Sequence, residues 1–146
     1  MEGVRATFSK RERLVSQRLI DLLFGQSASR SLAAFPLRVV YCLRHREVGS
    51  EPVQLLISVP KKRFHHAVDR NRVKRQVREA YRHRKQTLYD AMPVDQSLLV
   101  AFVWLSDRHL PTADVAARVE NLLERLVNRI TSPRKPEDTV SSVVSE

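Results

Sequence analysis

The side chains that could do chemistry in this chain are mostly cationic, and they gather in one stretch. Residues 61–85 hold eleven Lys or Arg (positions 61, 62, 63, 70, 72, 74, 75, 78, 82, 84 and 85) against two acids, Asp69 and Glu79. That local surplus is nearly the whole formal net charge of +10 carried by 146 residues. Concentrated positive charge favours a polyanion: nucleic acid, an anionic membrane surface or an acidic protein. Other chemistry is poorly provided for. The acids Glu47, Glu51, Asp69, Glu79, Asp90 and Asp95 are scattered, with no spacing that pairs two carboxylates as acid and base or as a metal clamp. Glycine occurs only at positions 3, 25 and 49, so no glycine-rich phosphate loop is present. The tandem pair His65-His66 cannot easily reach one metal ion from the same face, and reads as loop. The lone Cys42 excludes an internal disulfide and a cysteine metal cage, and in its apolar run it reads as a small buried residue.

The cationic stretch has to be held by regular elements. Ser9 and Glu12 have the spacing of a capping box, and Ser16 is a second start signal. Leu19, Ile20, Leu22, Leu23 and Phe24 follow, a short helix ended by Gly25. Residues 26–34 read as a loop or a weak edge strand. Residues 37–43, rich in β-branched and aromatic side chains, predict a strand. A polar turn over 44–52 leads to a second strand over 53–59, and the two together suggest an antiparallel hairpin. After a loop over 61–68, a helix is expected from Asp69, as N-cap, to Lys85. Residues 98–105 are apolar almost throughout and predict a central strand. Pro111-Thr112 opens a last helix whose apolar positions are Val115, Val119, Leu122, Leu123, Leu126, Val127 and Ile130. The order helix-strands-helix-strand-helix indicates an α+β chain folded as an α/β sandwich around one sheet. With 42% apolar residues, residues 1–132 are expected to form a single domain. Residues 133–146 are expected to be a disordered tail.

On a helical wheel of about 100° per residue starting at Val73, Val77, Tyr81 and Ala80 fall within one apolar stripe. Lys74, Lys85, Arg78, Asn71, Arg82 and Arg75 fall between roughly 100° and 200°. A row of like charge at this density repels itself and makes sense if phosphates neutralise it; the plain alternative is a solvated charged face. A DNA-reading helix usually belongs to a helix-turn-helix or a dimer. This one is flanked by strands, so RNA is the better reading. The membrane alternative is weak, because no apolar run approaches the roughly 20 residues that span a bilayer. The N-terminus has no apolar signal-peptide region, and a cytoplasmic location is the default expectation.

The segment Ala67-Val68-Asp69-Arg70-Asn71-Arg72-Val73-Lys74-Arg75-Gln76-Val77-Arg78-Glu79-Ala80-Tyr81-Arg82 resembles the signature of the bacterial ribonuclease P protein subunit. Ser58-Val59-Pro60-Lys61-Lys62 is similar to the strand end that precedes it in that family, with Pro60 where serine is commoner. Arg13-Leu14, Phe24 and the strand reaching Tyr41 match in order and spacing, so the resemblance runs from about Phe8 to Ile130. It implies a partner of a large catalytic RNA, in a complex that removes the 5′ leader from precursor tRNA. The RNA and its Mg²⁺ ions perform the hydrolysis in that family, so no catalytic protein residue is expected. By position, Lys61, Lys62, Arg70, Asn71, Arg72, Lys74, Arg75, Arg78 and Arg82 would contact the RNA. Ile20, Phe24 and Tyr41 would form the leader cleft, with Ile20 standing where the family commonly has phenylalanine. Aromatic rings suit that task because stacking holds single-stranded bases without strong sequence preference. The family fold further implies a left-handed βαβ crossover at the arginine-rich helix, against the usual right-handed rule. His65 and His66 stand where the family often has Gly-Asn. Composition and the basic helix alone fit a structural RNA-binding protein, such as a ribosomal component, equally well. The motif and the cleft positions favour the ribonuclease P reading.

Overall fold

The computed structural model describes residues 9–25 and 29–131. A 3-10 turn (Lys10–Glu12) leads to α1 (Gln17–Gly25), β1 (Arg30–Ala34), β2 (Leu37–His45), β3 (Val53–Ser58), α2 (Ala67–Ala91), β4 (Gln96–Trp104) and α3 (Thr112–Thr131). Phe8, residues 26–28 and the expected tail over 133–146 lie outside the described residues.

The four strands form one mixed sheet in the order β1-β2-β4-β3. β1 and β2 are antiparallel, as are β2 and β4, whereas β3 and β4 run parallel with α2 as their connection. This corrects the hairpin expected from the two strands before α2. β2 and β3 are not neighbours, because β4 lies between them. The physical reason is burial. β4 has six consecutive buried residues, Ser97 to Phe102, and fully burying a large apolar side chain is worth about 1.5–3 kcal/mol. A strand this apolar gains most with both faces covered. β3 alternates Val53 and Leu55 inward with Gln54 less buried, and it takes the edge. The weak edge strand read from residues 26–34 exists as β1.

Period-two alternation splits the core into two layers. Val39, Tyr41, Leu98, Val100, Phe102, Trp104, Val53 and Leu55 pack with α2 and α3. Val40, Cys42, Leu99 and Ala101 pack with Leu14 and with Leu23 of α1. Cys42 is buried, and burial pushes its thiol pKa up.

α2 begins at Ala67, not Asp69, with His66 at the N-cap, and it runs on to Ala91. The sequence boundary at Lys85 marked the end of the charge rather than of the helix. Leu88 continues the buried stripe, and the helix stops at Met92 just before Pro93.

Lys85 itself is a second correction. It lies at roughly 120° on the wheel, at the border of the apolar stripe, and it is 1% exposed rather than part of an open basic face. Its ammonium donates to Glu12 Oε1. The Tyr89 hydroxyl donates to the same oxygen at 2.7 Å, and Glu12 Oε2 accepts from the Ser9 amide at 2.9 Å in the expected capping box. The N-terminal turn is thus docked on α2, while Leu14 N donates to Leu55 O at 2.9 Å and covers the β3 edge.

Burial works to raise the Glu12 pKa, but the hydrogen bonds from Lys85, Ser9 and Tyr89 outweigh it and the net shift is downward. Stability from this carboxylate is therefore present above the unfolded-state pKa and is lost as pH falls through the lowered folded value. Glu12→Gln should flatten the loss of stability in that acid window. Lys85→Met should cost about 3–5 kcal/mol by stranding a buried carboxylate, and Glu12→Leu with Lys85→Met should recover most of it. Urea unfolding of the three variants between neutral and acid pH checks both. A Lys85→Met protein of native stability with weakened RNA binding would return Lys85 to the RNA face.

Candidate RNA interface

α2 packs on one face of the sheet beside α3, with Val73, Val77, Ala80, Tyr81 and Leu88 in the core. Gln76 completes the buried side. Its Nε2 donates to Leu110 O and to Thr112 Oγ1, both at 3.1 Å, fixing α2 to the start of α3. The opposite side is open, and its cations differ along its length.

In the C-terminal half each cation has an acid. Arg82 pairs with Glu79 at 3.0 Å, Arg84 lies 3.9 Å from Glu120, and Lys85 is held by Glu12. The Arg82 hydrogen bond is the main cause of a lowered Glu79 pKa. In the N-terminal half, Asn71, Arg72 and Arg75 are exposed and Lys74 and Arg78 half-buried. Among the described residues these five side chains make no hydrogen bond or ion pair, and neither do the exposed Lys61 and Lys62 on the preceding loop. Seven of the nine side chains read from the sequence as RNA contacts are thus available. Arg82 is shared with Glu79. Arg70 turns back, its Nη1 donating to the carbonyls of Phe64 and His65, both at 2.8 Å. Asp69, expected as the N-cap, instead accepts from His109 Nε2 at 3.0 Å.

The three residues read as a leader cleft are not brought together. Phe24, at the end of α1, is 48% exposed. It lines a cleft of about 310 Å³ with Leu23, Ser29, Arg30, Ser31, Arg38 and Val40. Ile20 is half-buried against the α1-side core rather than lining that cleft. Tyr41 lies on the other face of the sheet, 5% exposed, its hydroxyl accepting from Arg129 at 3.3 Å. Strand periodicity carries the reason: Val40 faces α1, so its neighbour Tyr41 cannot. The same alternation was the signal that could have pointed to Arg38, two residues before Val40. Arg30 carried no comparable signal.

The ribonuclease P family model matches residues 8–127. Over 132 residues the chain is 41% identical to the ribonuclease P protein component of Porphyromonas gingivalis, covering 87% of this chain and 93% of that one. The chain belongs to the bacterial ribonuclease P protein family. It is 43% identical over 93 residues to the ribonuclease P protein component of Chlorobium phaeobacteroides, covering 61% of this chain and 62% of that one. The structure of the ribonuclease P protein from Thermotoga maritima superposes with a TM-score of 0.54 at 27% identity, over 78% of this chain and 96% of that one. The Staphylococcus aureus ribonuclease P protein matches in fold, with a TM-score of 0.58 at 21% identity, over 79% and 94% of the two chains. As a ribonuclease P protein subunit, this chain is a component of the holoenzyme that processes tRNA.

Arg72→Ala with Arg75→Ala should leave the fold intact, since both side chains are exposed and unpaired. The double variant should bind ribonuclease P RNA more weakly. Its plot of log affinity against log salt should be shallower by about 0.9 per phosphate contact removed, or about 1.8 for the pair. Filter binding across a salt series measures this. An unchanged slope would take the two arginines away from phosphates.

Proposed function

We propose that the protein docks the catalytic RNA of ribonuclease P with the N-terminal half of α2 and the Lys61-Lys62 loop, and holds the 5′ leader of precursor tRNA in the Phe24 cleft. The observation that carries this reading is the partition of charge along α2. Cations with acid partners occupy one half, and Arg72, Lys74, Arg75 and Arg78, which make no hydrogen bond or ion pair among the described residues, occupy the other. Unpaired guanidinium groups in a row match successive phosphates, and Arg offers each a planar fork of donors. The Phe24 cleft combines an exposed aromatic ring with Arg30, Arg38 and two serines. Those groups suit a single strand held by stacking and by backbone charge. Ile20 supports α1 from within the core, and Tyr41 takes no part in the cleft.

In this reading the protein contributes binding and charge neutralisation, and its residues move no proton in the cleavage step. Hydrolysis of the leader bond belongs to the RNA, with Mg²⁺ supplying the metal chemistry. The protein side chains do not fit as the metal's own site. Among the described residues no three His, Cys, Asp or Glu gather as a metal cluster. Asp69 is engaged with His109 and Glu79 with Arg82. The partners are ribonuclease P RNA and precursor tRNA, not DNA or a membrane. Among the described residues no helix is long and apolar enough to cross a bilayer. The site of action is the cytoplasm. The left-handed sense of the β3-α2-β4 crossover belongs to the same family reading.

Precursor tRNA should be cleaved fast at low Mg²⁺ only when this protein and a bacterial ribonuclease P RNA are mixed. Cleavage by the protein alone would overturn the reading. Phe24→Ala in the reconstituted holoenzyme should raise KM for a long-leader precursor by roughly tenfold, taking stacking as worth about 1–3 kcal/mol. It should change KM little for a precursor trimmed to a minimal leader. Equal effects on both substrates would move the leader elsewhere.

A further inference from the structure

Asp69 and Arg70 lie in the first turn of the arginine-rich helix, yet Arg70 turns back to the loop that precedes it and Asp69 reaches across to the β4–α3 connection. Arg70 Nη1 donates to the carbonyls of Phe64 and His65, each at 2.8 Å. Asp69 accepts from His109 at 3.0 Å, and the His109 ring stacks on Phe64 with centroids 4.5 Å apart and planes 13° from parallel. Arg63 Nη1 reaches Asp107 at 3.4 Å. Phe64 itself is 9% exposed and joined to the main core. The loop from Pro60 to His66 is therefore gripped from two sides, by α2 and by the β4–α3 connection. It needs such a grip, because the His66 N-cap supplies no side-chain cap to fix where loop becomes helix. The side chains this brace leaves outside are Lys61, Lys62, His65 and His66, all exposed.

We propose that Arg70 is a positioning residue rather than an RNA contact. With the Asp69–His109–Phe64 stack, it fixes the loop that presents Lys61 and Lys62 to phosphates beside the unpaired row of α2. This rests on the reading of the two lysines as phosphate contacts. A guanidinium bound to two backbone carbonyls has given a large part of its donor fork to the protein. Holding the loop in one geometry removes the ordering cost that a free loop would incur on binding. His109 acts from the far side of the loop without adding to the phosphate-facing row, so its removal separates position from charge.

The test measures affinity for a bacterial ribonuclease P RNA transcript, and its salt slope, for Arg70→Met and His109→Leu. Each is made alone and on a Lys61→Gln/Lys62→Gln background. Either single variant should weaken binding roughly tenfold in the wild-type background. On the lysine-free background each should have less than about a twofold effect, because the interaction it supports has been removed already. In the free protein, hydrogen exchange at the Arg63 amide, which donates to Pro60 O, should accelerate in both variants. The proposal is overturned if Arg70→Met weakens binding equally in both backgrounds with a slope shallower by about 0.9 in each, since Arg70 would then touch phosphate itself. It is also overturned if His109→Leu leaves affinity unchanged. If Lys61→Gln/Lys62→Gln binds like wild type, the lysines leave the interface and the positioning role goes with them. The α2 row is then judged separately, by the Arg72 and Arg75 variants.

Discussion

A helix that carries a row of unneutralised like charge stays folded only if its other side is buried well enough to outweigh the repulsion. Like-charge neighbours three or four residues apart cost a few tenths of a kcal/mol per pair. Val73, Val77, Tyr81 and Leu88, all fully buried, each gain about 1.5–3 kcal/mol, so burial wins by a wide margin. The rest of the molecule follows from supplying that burial. The sheet takes one side of the α2 stripe and α3 takes the next, with Gln76 tying α2 to the start of α3. The N-terminal turn closes the C-terminal half by bringing Glu12 to Lys85.

The same constraint divides the helix by function. Where acids from the turn, from α3 and from α2 itself meet Lys85, Arg84 and Arg82, charge serves the fold. From Arg72 to Arg78, where no acid among the described residues comes within ion-pair distance, it remains available to a partner. The Phe24 cleft stands apart, on the opposite face of the sheet beside α1. The central pair of strands, β2 and β4, is the rigid body both sites share: Val39 and Phe102 serve the α2 side, while Val40 and Ala101 serve the α1 side.

Much of this was legible because local periodicity reports it. The α3 stripe from Val115 to Leu126 is buried as its spacing implies, and the continuous apolar run of β4 marked it as central. The Ser9 and Glu12 spacing described a turn that exists, although its larger role was hidden: the partners of Glu12 lie 73 and 77 residues away. The antiparallel hairpin was misread because two strands joined by a polar turn normally pair, and only the greater apolar content of β4 displaces β3 to the edge. Tyr41 lies on the α2 side of the sheet because strand alternation sets it opposite Val40, which a match by family position does not report.

The sequence by itself determined the helices and strands, the one-sided basic stripe and the family, since each is written in spacing along a single segment. The tertiary structure alone decided which cations on the stripe are free. On a wheel Arg82 lies beside Arg75, and Lys85 and Arg70 lie nearer the apolar stripe, at roughly 120° and 60°, but none of these angles tells which cation has a partner. The three differ because Glu12, Glu79 and the Phe64 and His65 carbonyls come within hydrogen-bond reach of them, and not of Arg75. Electrostatic pairing acts over a few ångströms of space, which one-dimensional spacing reports only within a helix, and not across the fold.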